Sequence, residues 1–335
     1  MQANHCNHKA LLNPLRQAFY NYHGETVLSE MTKLFAPDAK VQLSFPFETM
    51  IGAQAFYDRA FKELQQAIPD LERRDTIVMA GSSDDNEHWV GCCGYYTGSF
   101  ERGWLDIPAT GHQVSMRFHE FFRFENNRVV EVQAIWDIPE VMMQANAWPL
   151  VPSLGREWHV PAPATQDGLC ISFNAERAEQ SKVLVANMCD ALSNYATGGV
   201  EAMALEEYWH SKASWYGPSG IGTGRGIAGF RNWHQIPFLN GMPNRVGDVG
   251  KGYLFGDGDY VGFTAWPGMQ MTISHGGWLG IAPADQQITM RSLDFWRCEN
   301  GLIRENWVLV DLLHVYDQIG VDVFARMKEF NKARR

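Results

Sequence analysis

The sequence predicts an α+β protein in which one fold occurs twice in tandem, each copy a bent antiparallel sheet preceded by helices. The first observation is an internal repeat: Arg291 matches Arg117 and Asp311 matches Asp137, at an offset of 174 residues. We expect this offset to hold without a gap from about residue 30 to residue 137. The second observation is that helical periodicity precedes strand periodicity in each copy, which is typical of α+β domains.

Helices open each copy, because apolar residues recur there three and four positions apart and so share one helix face. A short strand, a glycine-containing loop and a further helix follow in both copies, and that helix starts after Gly52 or Gly226. The apolar residues with helical spacing are Leu11, Leu12, Leu15 and Phe19 in the first copy, and Val183, Leu184, Met188 and Leu192 in the second.

Strand patterns fill the rest of each copy. Aromatic and β-branched residues dominate runs that are separated by turns rich in Asn, Asp and Gly, which is typical of antiparallel hairpins. The longest predicted hairpins join 117–124 to 129–137 in the first copy and 290–298 to 302–311 in the second. Between the copies, residues 147–168 contain four prolines and little periodicity, which predicts a semi-extended linker. The predicted domains are therefore 1–146 and 169–335, and we expect them to pack as an intramolecular pseudo-dimer.

The composition argues against several classes of partner. The net charge is −10 and Lys and Arg form no cluster before residues 332–335, so nucleic acid is not an expected partner. No apolar run approaches 18 residues and no signal-peptide pattern is present, so we expect a cytoplasmic protein with no membrane partner. Association into a homodimer stays open.

Metal-binding patterns are weak throughout the chain. The six cysteines show no C-x-x-C spacing and the histidines and carboxylates fit no common zinc pattern, so we expect reduced thiols and no metal. His5, Cys6 and His8 carry side chains able to bind a metal, but we expect a frayed terminal segment at that end of the chain.

Two pairs of acidic residues are candidates for proton transfer. Asp137 and Asp311 each end an apolar strand pattern, and burial of a carboxylate raises its pKa toward the range useful for acid/base catalysis. The alternative for both is a helix N-cap, because a helical segment follows each of them. Glu120 and Asp294 occupy matching positions on the neighbouring hairpin strand, on the strand face opposite to that of the hairpin arginines. A surface or edge position is the alternative for this second pair.

Histidine and tryptophan are concentrated in the second copy, where the first copy has other residue types at the matching positions. A pocket is therefore expected in the second copy, with titratable and aromatic side chains around it. The predicted catalytic residues are Asp311, His234, His275, Asp294 and Asp137, and the predicted ligand-binding residues are Trp209, Trp215, Trp233, Trp278 and His210.

Several strings carry a family resemblance, among them Gly52-Ala-Gln-Ala-Phe56, Trp136-Asp137, Gly226-Ile-Ala-Gly-Phe230 and residues 295–305. With these strings the chain resembles the SnoaL-like polyketide cyclase family, whose members have the NTF2-like, cone-shaped α+β fold. The resemblance implies that the aspartate ending the last long strand, Asp311 and less securely Asp137, is the general acid/base of an intramolecular aldol ring closure. It also implies that no metal or organic cofactor takes part. The chain departs from the family pattern because it is a fused pair and because its second copy lacks the usual Pro-Pro-Thr-Gly stretch.

The resulting hypothesis is an enzyme that performs acid/base chemistry on a hydrophobic carbonyl compound, of aldol, lyase or isomerase type. Asp311 would remove a proton next to the carbonyl, and His234 or His275 would stabilise the enolate oxygen. The alternative is a non-catalytic binding protein for an aromatic or hydrophobic metabolite, which needs the same tryptophan-rich pocket but no titrating acid.

Overall fold

The structure, a computed structural model, describes residues 2–247 and 252–333. Contacts between residues divide the chain into two compact units. The first contains Met1–Pro149, Thr165–Cys170 and Gly320–Arg335, and the second contains Leu150–Ala164 and Ile171–Ile319. Each unit thus includes residues from outside the domain range that the sequence predicts for it, namely 147–149, 165–170 and 320–335 in the first unit and 150–164 in the second. The predicted boundaries and the predicted pseudo-dimer packing stay predictions, and each unit is described by itself.

The first unit is built from five helices, a π-helical turn and six strands between residues 2 and 144, together with the C-terminal helix. Its helices are α1 (Gln2–Tyr20), α2 (Gly24–Leu34), α3 (Gly52–Phe56), the π-helix Tyr57–Phe61, α4 (Lys62–Ala67) and α5 (Ile138–Gln144). Its strands are β1 (Phe35–Leu43), β2 (Glu48–Ile51), β3 (Glu72–Ser82), β4 (His88–Ser99), β5 (Gln113–Glu125) and β6 (Arg128–Trp136). Helices before a largely antiparallel sheet confirm the predicted α+β class.

The first sheet has the strand order β2-β1-β6-β5-β4-β3, in which only β1 and β6 run parallel. The predicted hairpin of β5 and β6 is confirmed. Helix α1 starts at Gln2 and buries His5 and His8, so the expectation of a frayed terminus is wrong. Apolar contact with the sheet orders this end of the chain, since the His8 ring stacks on Phe124 at 4.6 Å.

The second unit repeats this order of elements. Its helices are α6 (Ala175–Ser193), α7 (Tyr195–Gly198), the 3-10 turn Glu201–Met203, α8 (Leu205–Tyr208), α9 (Gly226–Phe230), the π-helix Arg231–Gln235, α10 (Ile236–Gly241) and α11 (Leu312–Gln318). Its strands are β7 (Trp209–Tyr216), β8 (Thr223–Arg225), β9 (Val246–Gly247), β10 (Gly252–Asp257), β11 (Tyr260–Thr272), β12 (Gln287–Glu299) and β13 (Leu302–Val310). The strand order is β10-β11-β12-β13-β7-β8, with β9 paired to β11. The predicted hairpin of β12 and β13 is confirmed.

The last helix of the chain, α12 (Val323–Ala333), belongs to the first unit. The Phe324 ring lies 6.3 Å from that of Phe45, and Lys328 pairs with Asp106 at 2.8 Å. Among the helices that the structure describes, none has the length and apolar character needed to span a membrane.

The 174-residue offset holds for most elements but shifts on β11. Cys92 pairs with Glu120 across β4 and β5, whereas Phe263 pairs with Asp294 across β11 and β12. Phe263 therefore occupies the place of Cys92, which the constant offset assigned to Trp266. The cause is a bulge at residues 266–268, where the register between β11 and β12 shifts. Proline has no backbone N–H group to donate, so a bulge is one of the few places where an interior strand tolerates a proline. The expectation of a repeat without a gap is wrong here.

Candidate functional site

The candidate site lies on the face of the second sheet that its helices cover. Side chains alternate along a strand, so Ser292, Asp294, Trp296 and Cys298 of β12 point to the same side. Cys298 hydrogen-bonds to Ser181 of α6, which identifies this side as the one facing the helix. All four β12 side chains are buried.

Asp294 is the titratable group at the centre of this face. Its side chain accepts a hydrogen bond from the Ser292 hydroxyl at 2.6 Å, and Val308 of β13 lies directly opposite. Burial raises the pKa of Asp294 to about 7, although hydrogen bonds from Ser292 and Asn306 act in the opposite direction. A carboxyl group that titrates near neutral pH can accept and return protons there.

The matching acid of the first unit, Glu120, has a different environment. Its carboxylate pairs with Arg73 at 2.5 Å and accepts hydrogen bonds from the Tyr96 hydroxyl and from Nε1 of Trp136, each at 3.0 Å. Arg73 also contacts Asp75 at 3.0 Å. The Glu120 carboxylate is therefore held by one ion pair and two hydrogen bonds, all from side chains of the first unit.

Strand register shows which residues replace these partners in the second unit. Gly247 and Met269, which pair with each other, occupy the places of the paired residues Arg73 and Tyr96. Val310, which pairs with Ser292, occupies the place of Trp136. The second unit therefore lacks all three donors that hold Glu120. Asp294 consequently has neither a cation nor an aromatic donor at those positions.

The same replacements remove bulk from the face. In the first unit the rings around Glu120 pack with centroids 4.7–5.6 Å apart, so their side chains fill the interior. These rings are Phe61, Tyr96, Phe118 and Trp136, and the second unit has Gln235, Met269, Ser292 and Val310 in their places. The substitutions leave less aromatic volume around Asp294 than around Glu120.

Aromatic rings form one wall of the candidate site. Trp215 lies opposite Asn306 in the sheet, and the ring of His234 stacks on Trp215 at 3.9 Å and 13°. Trp209 packs on Phe230 at 4.5 Å. Burial, followed by the charge of Arg245, lowers the pKa of His234 to about 3, so the imidazole is neutral at physiological pH.

The π-helix that precedes α10 places His234 and Gln235 side by side. Such wide turns occur often at functional sites. His234 Nδ1, Gln235 Oε1 and Trp296 Nε1 are buried and have no hydrogen-bond partner among the residues that the structure describes. Buried polar atoms are normally hydrogen-bonded, so these three atoms are candidates for contact with a ligand. The first unit has Ala60, Phe61 and Phe122 at the matching positions.

The two strand-ending aspartates are helix N-caps, which confirms the alternative that the sequence left open. Asp311 accepts a hydrogen bond from the His314 backbone at 3.2 Å and pairs with Arg291 at 3.0 Å. Asp137 caps α5 in the same way, and its carboxylate lies 3.6 Å from Arg117. Each carboxylate thus caps a helix and pairs with an arginine, on the sheet face opposite to Glu120 or Asp294.

This capping role leads to a stability prediction. Asp311→Ala should lower the free energy of unfolding by roughly 1–3 kcal/mol, because it removes the cap and leaves Arg291 without its carboxylate. Asp311→Asn should cost less, since asparagine is an equally good cap. Urea unfolding of both variants measures the difference, and equal losses would contradict the cap as a separate contribution.

The other predicted residues are dispersed in the second unit. His275 is exposed on the loop after β11 and hydrogen-bonds to Ser274 at 2.9 Å. His210 is half-buried at the start of β7, where Nδ1 accepts from the backbone of Lys212. Trp233 is 53% exposed, so its ring is not part of a buried wall. Trp278 is buried in a loop, with its ring 5.6 Å from Phe238.

The structure thus brings Asp294, Trp215 and His234 onto one face, together with residues that the sequence analysis did not select. These are Gln235, Trp296 and Asn306. A position-by-position comparison would have indicated them, because the first copy has Phe61, Phe122 and Val132 there. Within residues 2–247 and 252–333, no group of three His, Cys, Asp or Glu side chains is arranged to hold a metal ion.

Three solved structures, each similar to less than half of the chain, are as follows. AclR, a putative hydroxylase from Streptomyces galilaeus, is 20% identical over 44% of this chain and 85% of its own, with a TM-score of 0.36. Wild-type IdmH, a putative polyketide cyclase from Streptomyces antibioticus, is 18% identical over 42% and 98%, with a TM-score of 0.35. A putative SnoaL-like polyketide cyclase from Jannaschia sp. CCS1 is 16% identical over 42% and 91%, also at 0.35. No curated protein matches the chain.

The family comparison covers both copies. The model of the SnoaL-like polyketide cyclase family matches residues 15–145 and again residues 202–319. Two matches in sequence order, together with the two sheets, confirm the predicted tandem of NTF2-like α+β domains. The chain belongs to the SnoaL-like polyketide cyclase family.

Proposed function

We propose that the second unit catalyses proton transfer at the carbon next to a carbonyl group, on a hydrophobic small molecule, with Asp294 as the base and then the acid. The observation that carries this proposal is the buried Asp294 carboxyl, whose pKa is raised to about 7 and which has lost the cation and donors that hold Glu120. A base whose pKa lies near the working pH combines a useful ionised fraction with useful basicity.

The proposed chemistry balances within the substrate and one side chain. The Asp294 carboxylate accepts the proton from the α-carbon, the electron pair of the C–H bond forms the carbon–carbon double bond of the enolate, and the π pair of the carbonyl group moves to its oxygen. The resulting enolate carbon attacks a second carbonyl of the same molecule, which forms the ring-closing C–C bond. Protonated Asp294 then delivers its proton to the new alkoxide, so the reaction is a net isomerisation.

Two nearby donors suit the developing enolate oxygen. Trp296 carries an indole N–H on the same strand face as Asp294, and it has no partner among the described residues. His234 is neutral, so it can donate a hydrogen bond without the energetic cost of burying a charge. His275 is exposed, which favours His234 of the two histidines that the sequence indicated. Trp215 supports the His234 ring and supplies a flat apolar wall.

The rival function is a binding protein without catalysis, which the sequence analysis also left open. Such a protein needs the aromatic wall but gains nothing from an acid that titrates near neutral pH. The raised pKa of Asp294 therefore favours the enzyme.

The test is proton exchange on a simple aryl ketone, 1-tetralone, in D2O. Loss of the α-proton signal should be faster with the protein than with buffer, and the rate should rise with pH through about 7 and then level off, as the base ionises. NMR from pH 5 to pH 9 measures this profile. Exchange that matches the buffer rate at every pH would refute the catalytic role.

A further inference from the structure

Gln235 places an amide group where the first unit has a phenyl ring. Position 61 is its counterpart, since the π-helices 57–61 and 231–235 keep the 174-residue offset. The Phe61 ring lies 5.1 Å from Trp136 and 5.6 Å from Tyr96, which are neighbours of Glu120. The amide of Gln235 therefore belongs to the surroundings of Asp294 in the second unit.

The Gln235 amide oxygen has an unmet hydrogen-bonding need. The side chain is 4% exposed, and no described residue donates to Oε1. A buried acceptor without a donor loses its hydration and regains nothing, which is unfavourable in the ligand-free protein. The fold itself does not require a polar group at this position, because the first unit has the hydrocarbon ring of Phe61 there.

We infer that the ligand of the second unit carries a hydroxyl group that donates a hydrogen bond to Oε1 of Gln235, so that the preferred ligand is a hydroxylated carbonyl compound. The inference rests on the proposed function for the position of the carbonyl, beside Asp294 and Trp296. An amide oxygen only accepts, so the ligand must supply the donor.

The charge nearby selects between the two common kinds of donor. The guanidinium of Arg245 lies over the Phe238 ring at 5.6 Å, and its charge lowers the pKa of His234, the neighbour of Gln235. The same Phe238 ring lies 5.4 Å from that of His234, so the Arg245 charge is on the side of the site that holds Gln235 and opposes an ammonium group on the ligand. A neutral hydroxyl group satisfies Gln235 without that repulsion.

The experiment compares 1-tetralone with 6-hydroxy-1-tetralone, which differ in one hydroxyl group. Isothermal titration should show that the native protein binds the hydroxylated probe at least about tenfold more tightly, as expected when a ligand satisfies a buried acceptor. Gln235→Leu should abolish this preference, and Gln66→Leu, which changes an exposed glutamine of α4, should retain it. Equal affinities for the native protein, or no binding of either probe, would overturn the inference.

A second measurement needs no ligand. Gln235→Leu should raise Tm by at least about 2 °C, because it removes the acceptor that lacks a partner, while Gln66→Leu should leave Tm unchanged. A lower Tm for Gln235→Leu would show that the amide stabilises the fold, and the inference would fall. Asp294→Asn separates the two proposals, because it should lose proton exchange and still bind 6-hydroxy-1-tetralone more tightly than 1-tetralone. A hydroxyl preference without proton exchange in the native protein refutes only the catalytic role, whereas exchange without that preference refutes only the hydroxyl contact.

Discussion

Asp294→Asn should lower the rate of proton exchange by about 10²–10⁴-fold while leaving ligand binding intact, because it removes the base and keeps the shape of the side chain. The same variant should be more stable than the native protein above pH 7. Both expectations follow from one feature, a carboxyl group that is buried beside Ser292 and that contacts no cation among the residues that the structure describes.

The sign of the stability effect follows from the direction of the pKa shift. The pKa of Asp294 is about 7 in the folded protein and about 3.9 in an unfolded chain, so the folded state holds the proton more tightly. The stabilisation by this proton is complete below pH 4 and is lost as the pH rises through 7. The difference corresponds to roughly 4 kcal/mol. Asparagine does not titrate, so the variant should escape this loss.

Urea unfolding at pH 5 and pH 8, together with hydrogen exchange of the β12 amides, measures the effect in the second unit. The stability gain of Asp294→Asn should be large at pH 8 and small at pH 5, and an equal gain at both would contradict the shifted pKa. Asp311→Asn tests the rival catalytic assignment. It should retain most of the exchange activity. Loss of exchange in Asp311→Asn with full exchange in Asp294→Asn would assign the acid to Asp311.

Arg73→Met should destabilise the first unit by roughly 3–5 kcal/mol, because it leaves the buried Glu120 carboxylate without its cation. Arg73 is fully enclosed, with its guanidinium 4.1 Å from the centroid of the Phe118 ring. Asp75 would be less affected, since it also pairs with Arg16 at 2.8 Å. Most of the loss should therefore come from the Glu120 side of the network.

The neighbouring residue provides a matched control. Arg74 pairs with Glu72 at the surface, so Arg74→Met should cost less than about 1 kcal/mol. The double variant of Arg73→Met with Glu120→Met should recover most of the stability, because hydrophobic replacement of a whole buried pair is close to neutral. Similar losses for Arg73→Met and Arg74→Met in urea unfolding would contradict the buried ion pair as the cause.

The fold was largely predictable from the sequence, because the strand patterns are local and the repeat shows each of them twice. The hairpins ending at Asp137 and Asp311 were predicted from turns of Asn and Gly, and both are confirmed. The bulge at 266–268 was not predicted. Extra residues at one point and fewer residues at another leave the offset at the two ends unchanged, so a constant offset does not reveal either of them. This shift moved Trp266 away from the position of Cys92.

The candidate site was only partly predictable. Asp294 was recognised from its place in the repeat, but its preference over Asp311 depends on long-range contacts. Arg73 lies 47 residues before Glu120, and sequence proximity gives no hint that they meet. His275 and Trp233 were selected by residue type and by comparison with the first copy, and exposure distinguishes them from His234 and Trp215. Contacts and burial, which a single sequence does not show, decide these cases.

The assignment of Leu150–Ala164 to the second unit and Gly320–Arg335 to the first has a consequence for dissecting the protein. By the 174-residue offset, these two segments follow equivalent helices, α5 and α11, so each half of the gene encodes a tail that completes the other unit. Expressing either half alone would yield an incomplete unit, whereas co-expressing both halves would restore the missing tails by exchange.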